Sequence, residues 1–599
     1  MTADAPSPRR GPARFFSRPE LRLFGRRSRQ VLLLSALTGL LTGLVVAGFE
    51  YAVEEQALAR VESLPVVVQA LVPGIGLAGA ALALRTLARS RSPEMTDEYI
   101  RNFHDRHHRL DRRPVLGRLV ASALTLGSGG TLGFEGPSIY AGAAVGAALQ
   151  ARLSRYFTRE EAKTLMVAGA AAGLAAIFKA PATGAAFAIE VPYQDDIAGG
   201  LVLPALCGAA VSYATFAVLR STSPLLPISG SVPFALVDLA GAALVGLASG
   251  AGAQLFAWGL RATKRAARLG RPVLRLGAAA ALLAVLAVAS HAVAGQALTI
   301  GPGYRAVGWA LDPRQALTAV GLLLVLRAVA VLATLQGGGA GGLFIPLVVE
   351  GALLGRLLGG ALGQPAGSLY PLLGIAAFLA AGYRTPLTGV IFVAETTGRP
   401  GFVVPGLIAA VVAQLVMGRN SVAPDQRPAR AGHLEGRLHL PLTAVLATDT
   451  PTTTPTTTVR DFITNVAVAH HAFVVPVIDH GTFVGVVDVT RTESVPAAER
   501  RRRLVAEVMD CRYPTGRPAW TVREAIATME DHDVELLPIV DPDHRYRGVV
   551  STAAILALNE ILSDSDDYAP SVLPTTRPEP WYHKAGDALR ALAGRLGPG

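Results

Sequence analysis

The sequence predicts an all-α polytopic membrane domain followed by a smaller soluble α/β pair. Three observations predict it: long apolar runs recur from residue 31 to about residue 418, part of that region repeats itself, and the texture turns polar and strand-like after Gly418. With 51% hydrophobic and 17% charged residues in 599, and a mean hydropathy of +0.41, the composition excludes an ordinary soluble enzyme.

The elements follow in order. Residues 1–28 form a basic tail, expected on the cytoplasmic side. The first apolar run, Val31 to Phe49, is too long for a cleaved leader and lacks a cleavage site, so it reads as a span. The membrane domain is placed at 29–424. Its runs vary from full spans, such as Leu239 to Trp258, to short pieces broken by Gly and Pro. Broken helices at membrane depth are tolerated only inside protein or along a cavity, so the breaks point to a pathway. The net charge of +11 raises nucleic acid as a partner, but the arginines cluster beside apolar runs, at Arg9 to Arg29, Arg85 to Arg118 and Arg261 to Arg275. That is the pattern of cytoplasmic loops facing lipid, and no nucleic-acid role is expected. Cys207 and Cys511 indicate neither a disulfide framework nor a metal site, and His104, His107 and His108 read as a solvated loop.

The repeat is internal and specific. KAPATGAAFAIE at 179–190 matches RTPLTGVIFVAE at 384–395, an offset of 205 (384 minus 179). Pro137 with Gly142 to Gly146 matches Pro346 with Gly351 to Gly355 at an offset of 209 (346 minus 137). Two related halves place a substrate site where half-helix ends meet near the midplane. The second offset sets Glu135 opposite Phe344.

GGTLGFEGP at 129–137 reads as a glycine loop opening a helix, with Pro137 in its first turn, and GGLFIP at 341–346 has the same grammar. Inward backbone N–H groups and a helix N-terminus make an anion site without a fixed cation. Glu135 is then a tethered anion beside that site, able to fill it when ionised and leave it when protonated; the plainer alternative is a helix cap. Lys179, Arg384, Glu190 and Glu395 fit interfacial anchoring and helix-end electrostatics better than a proton relay.

After the linker at 425–440, residues 441–503 and 504–562 show the same order twice: an amphipathic stretch, an apolar strand ended by Asp, then a Gly-Val-Val strand. In the first unit these are Val459 to Val468, Phe473 to Asp479 and Phe483 to Asp488. In the second, a helix start at Val505 to Asp510 precedes Val522 to Met529, Leu536 to Asp541 and Tyr546 to Ser551. The Pro- and Thr-rich tail, 563–599, offers one short helix at Lys584 to Leu596.

GFEGP at 133–137, GGLFIP at 341–346, the paired Pro-Thr-Gly-Glu segments and the two terminal units together resemble the CLC chloride channels and proton-coupled chloride transporters, with a cystathionine-β-synthase (CBS) domain pair. The resemblance covers roughly residues 29 to 562. It implies a CLC-type inverted repeat, a homodimer with one pore per subunit, chloride or a related anion as the transported species, and a multi-pass protein of the cell membrane with both termini and the CBS pair cytoplasmic. It makes Glu135 the gate and places Gly133, Phe134, Gly136, Gly342, Leu343, Phe344 and Ile345 along the anion path. The amides of Leu343 and Phe344 line its central site.

Three departures qualify what the resemblance implies. The family's Gly-Ser-Gly-Ile-Pro signature has as its nearest match Arg89-Ser-Arg-Ser-Pro-Glu94, in which Ser90 is the anion-binding counterpart by register and Ser92 the alternative. The tyrosine that completes the inner site falls at Val422 or Ala423, neither with a hydroxyl. The second glutamate of proton-coupled members is Val191. On that valine the sequence reading favours a passive chloride channel, with a proton-coupled antiporter as the alternative and a CBS-based nucleotide or ion sensor third. In the CBS pair the ribose-binding Asp is absent from both registers, Asp488 with Arg491 and Ser551 with Ala554, so no cofactor is expected and adenine nucleotide is the minority reading.

Overall fold

A computed structural model describes residues 18–89, 92–105, 110, 112–154, 157, 163–220, 225–226, 236–269, 271–365, 369–398, 400–429 and 440–558. They belong to two units, Met1–Arg430 and Ala431–Gly599.

The first unit is helical. Its first half holds α1 (Arg18–Glu50), α2 (Val66–Thr86), α3 (Thr96–His104), α4 (Arg112–Gly127), α5 (Glu135–Arg152), α6 (Thr164–Phe178), α7 (Pro181–Glu190) and α8 (Val202–Leu219). Its second half holds α9 (Val237–Leu269), α10 (Pro272–Ala294), α11 (Tyr304–Ala310), α12 (Leu317–Gln336), α13 (Phe344–Ala361), α14 (Leu369–Tyr383), α15 (Pro386–Thr397) and α16 (Val403–Met417). Part of the sequence-defined basic tail is therefore helix, from Arg18 onward. Among the described residues seven helices are long and apolar enough to cross a membrane, and the protein is a multi-pass membrane protein.

The broken helices are where the repeat lies. At 15 and 10 residues, α6 and α7 reach only about 22 and 15 Å, well short of the roughly 30 Å hydrocarbon core. Lys179, left-handed at φ 55°, ends α6, and Pro181 opens α7. Arg384, at φ 56°, and Pro386 do the same between α14 and α15. The cation and proline of the repeated motif thus mark the break itself. Both α6 and α14 are apolar all round and buried along their whole length, as central helices must be. Helix α5 packs on α6 through glycines, so closely that a Cβ at Gly142 would stand 2.0 Å from the Gly169 carbonyl oxygen. Residues after α16 stay with this unit: the Val422 N–H donates to the Gly382 carbonyl (2.9 Å), and the buried Gln426 side chain donates to the carbonyls of Val191 (2.9 Å) and Tyr383 (2.7 Å).

The second unit is α/β. Strands β1 (Val474–Asp479) and β2 (Thr482–Asp488) form one antiparallel hairpin, and β3 (Leu536–Val540) and β4 (Tyr546–Ser551) another. Val459–Asp461 starts a helical stretch that continues as a π-helix, Phe462–Val468, and Thr521 caps the helix Val522–Asp531. Val505–Glu507 is only a single 3₁₀ turn, shorter than the helix expected there. The two cores are completed by exchange. Leu442 and Val445 pack with Val522, Leu537 and Val550, while Val505 packs with Phe462, Val475 and Val487. Backbone pairs follow suit, with Ala447 bridging Val549 and Asp510 bridging Val486. The expected elements of the 563–599 tail lie outside the described residues.

Candidate functional site

The two halves meet at a pair of loops. Gly133 and Gly342 exchange backbone hydrogen bonds, N–H to carbonyl in each direction at 2.9 Å, and from this bridge α5 and α13 depart. The starts of the two helices therefore border a common space. Each such terminus carries about half a positive charge.

Glu135 fills that space. It is fully buried, and its Oε1 accepts from the Phe344 N–H at 2.5 Å and the Ile345 N–H at 3.3 Å. Oε2 makes no hydrogen bond among the described residues. The carboxylate caps a helix, but the one belonging to the other half. Sequence register paired Glu135 with Phe344, and the fold joins them directly. Gly133 leaves room for this, since a Cβ there would stand 1.8 Å from Oε2. Gly136 lies equally close to the partner loop, where a Cβ would come within 2.8 Å of the Gly342 nitrogen.

Phe344 is held by aromatics from both halves. Its ring contacts Phe178 at 4.6 Å, Phe187 at 5.4 Å and Phe392 at 5.1 Å between centroids. Phe134 is buried with its ring edge-on to Phe49. Arg327, fully buried in α12, donates to the carbonyls of Leu298 (2.6 Å) and Pro302 (2.8 Å), steadying a loop whose Gly301 N–H bonds the Gly129 carbonyl at 2.9 Å. Glu350, buried in α13, lies within the electrostatic reach of Arg327. The sequence reading missed both, although a lone charge in an apolar run is a signal in itself.

Glu190 and Glu395 act reciprocally. Glu190 accepts from the N–H groups of Leu387 (3.0 Å) and Thr388 (2.9 Å) and from the Thr388 hydroxyl (2.6 Å), so it caps α15. Glu395 accepts from Ala182 (2.9 Å), Thr183 (2.8 Å) and the Thr183 hydroxyl (2.8 Å), so it caps α7. Both act at helix ends, as expected, but each caps the helix of the other half, and Glu190 is buried and not an interfacial anchor.

The other candidates are distributed around this centre. Val191 is fully buried just after α7, and Val422 and Ala423 are buried as well. Ser90 lies outside the described residues. Ser92 is described, and its carbonyl accepts from Arg118 at 3.3 Å. Of the three histidines, His107 and His108 lie outside the described residues; His104, expected in a solvated loop, instead ends α3 with a ring nitrogen 2.7 Å from the Pro192 carbonyl and its ring edge-on to Tyr193. Among the described residues no group of three His, Cys, Asp or Glu is placed to hold a metal.

A membrane unit of two interlocked halves, with opposed helix N-termini converging on one buried acid, defines an anion-transport pathway. The family model described as voltage gated chloride channel matches residues 76–418, and the CBS domain model matches residues 505–559. The chain belongs to this chloride channel family, whose members transport anions. It is similar to the H(+)/Cl(-) exchange transporter ClcA of Salmonella arizonae, 29% identical over 418 residues, covering 64% of this chain and 85% of the relative. The same transporter of Citrobacter koseri matches equally, at 29% over 418 residues. A crystal structure of a CLC-type fluoride/proton antiporter aligns with a TM-score of 0.58 at 25% identity, covering 69% of this chain and all of that one. A slow cyanobacterial Cl-/H+ antiporter shares the fold, with a TM-score of 0.57 at 23% identity, covering 65% and 94% of the two chains.

Proposed function

We propose that this chain exchanges chloride, or a closely related anion, for protons across the membrane, with Glu135 as the element both fluxes share. The observation carrying this is the buried Glu135 carboxylate seated on the N–H groups of Phe344 and Ile345. A carboxylate and a chloride ion compete for the same donors. Protonation cancels the acid's claim, so proton uptake at Glu135 and anion entry favour each other. In this reading Gly133, Phe134, Gly136, Gly342, Leu343, Phe344 and Ile345 line the anion path, and Ser90 keeps the role its register implies. The chain acts as a homodimer with one path per subunit, its termini and CBS pair cytoplasmic.

The relatives named as exchangers support coupling, and they displace the passive channel as the first reading. Passive conduction keeps one specific observation in its favour: Val191, apolar and fully buried, stands where proton-coupled members carry their second glutamate. The test is reconstitution into liposomes under an outward chloride gradient with pH recorded alongside chloride. Exchange predicts protons driven uphill in fixed ratio to chloride; chloride flux with no proton movement establishes the channel.

A further inference from the structure

Exchange needs groups that carry protons to and from Glu135, and the buried Val191 cannot be one of them. The described residues hold another acid within reach. A cavity of about 50 Å³, room for a few water molecules, is lined by Glu94, Asp97, Lys264, Gly342, Leu343 and Tyr383. On one side it reaches the seat of Glu135. A Cβ at Gly342 would stand 2.3 Å from Glu135 Oε1, so the carboxylate lies against a stretch of cavity wall that has no side chain. Leu343 precedes Phe344, whose N–H holds that same oxygen. Tyr383 lies within the electrostatic reach of both Glu135 and Asp97.

The other side is acidic. Asp97, in the first turn of α3 and 8% exposed, shares a single ammonium with Glu94: Lys264 of α9 stands 3.2 Å from Asp97 and 2.6 Å from Glu94. Two carboxylates on one cation repel each other, so the less well held of them takes up a proton. That one is Asp97. Glu94 has Arg101 as a second cation at 3.7 Å, while Arg101 also serves Glu98 at 2.8 Å and Asp425 at 3.3 Å, and Arg118 serves Glu98 at 3.4 Å. Burial, opposed by Lys264 and aided by Glu94 and Asp425, raises the Asp97 carboxyl to about 6.

We propose that Asp97 is the proton carrier that faces Glu135 across this cavity, in the role that Val191 cannot fill. The carrier rests on the exchange reading given above. Protonated Asp97 gives its proton to a water molecule in the cavity, which passes one on to Glu135. One O–H bond breaks at Asp97 and one forms at Glu135, the water is unchanged, and Asp97 is left as a carboxylate beside Lys264. Neutral Glu135 then gives up its claim on the Phe344 and Ile345 N–H groups, and the reverse transfer restores it.

Asp97→Asn keeps the size of the side chain, cannot carry a proton, and leaves Lys264 balanced by Glu94. In liposomes with chloride and pH recorded together, the protons moved per chloride should fall about a hundredfold, the low end of what a positioned proton-transfer group contributes. Asp97→Glu should restore them, and Glu94→Gln, which makes the same change of charge, should lower them far less. Should Asp97→Asn yield no folded protein, Lys264→Gln carries the test. Without the ammonium Asp97 keeps its proton to higher pH, so the pH profile of proton flux should move up by about one unit. A wild-type ratio in folded Asp97→Asn, an equal fall in Glu94→Gln, or an unmoved profile in Lys264→Gln overturns the carrier while leaving exchange intact. A wild-type protein that passes chloride without protons overturns the exchange reading, and the carrier with it.

Discussion

Gly133→Ala tests the seating of Glu135 without touching the acid. Gly133 is not in the left-handed region, and its N–H and carbonyl bonds to Gly342 do not involve the missing side chain, so the bridge survives an added methyl. The new Cβ would lie 1.8 Å from Glu135 Oε2, and the carboxylate must retreat by about 1.5 Å to reach ordinary contact. A shift of that size breaks the 2.5 Å bond from Phe344 and the 3.3 Å bond from Ile345. A hydrogen bond to a charged group is worth about 1.5–3 kcal/mol, so losing even one favours the vacated seat by roughly one to two orders of magnitude. The assay is chloride flux from liposomes at acidic and at neutral pH, taken as a ratio so that any narrowing by the methyl cancels. Wild-type flux should rise on acidification, because protonation removes the tethered competitor. In Gly133→Ala the ratio should collapse towards one. A folded variant with the wild-type ratio would refute the competition between Glu135 and the anion.

Two other substitutions probe the frame. Glu190→Ala and Glu395→Ala each remove three hydrogen bonds at a helix start, so each should cost about 1–2 kcal/mol and lower Tm in detergent; stability unchanged in both would contradict the reciprocal caps. Leu442→Ala should cost about 2–5 kcal/mol and speed amide hydrogen exchange in β3 and β4 more than in β1 and β2. Faster exchange confined to β1 and β2 would place Leu442 in the other core.

Much of this was legible because symmetry is written in the chain. The motif at 179–190 and its copy at 384–395 announced two halves, and the offset pairing Glu135 with Phe344 named two groups that bond directly. Local chemistry sufficed there: glycine loops, proline at a helix start and one acid among apolar residues. What escaped notice depended on packing between distant segments. Gln426 reads as part of a polar linker, and only the fold brings its side chain to the carbonyls of Val191 and Tyr383. The apolar pattern at Leu442 and Val505 says that both are buried, not that each serves the opposite core. Glu135 as a cap was half legible too, since the helix it caps begins more than two hundred residues later.

The most direct measurement compares wild type with Glu135→Gln in liposomes loaded with chloride, recording chloride and pH together. The amide keeps the size of the side chain but cannot compete as an anion or carry a proton. Wild type should drive protons against their gradient as chloride leaves, whereas Glu135→Gln should pass chloride at least as fast at neutral pH, with no proton movement and little dependence on pH. Equal proton coupling in both proteins would contradict the account.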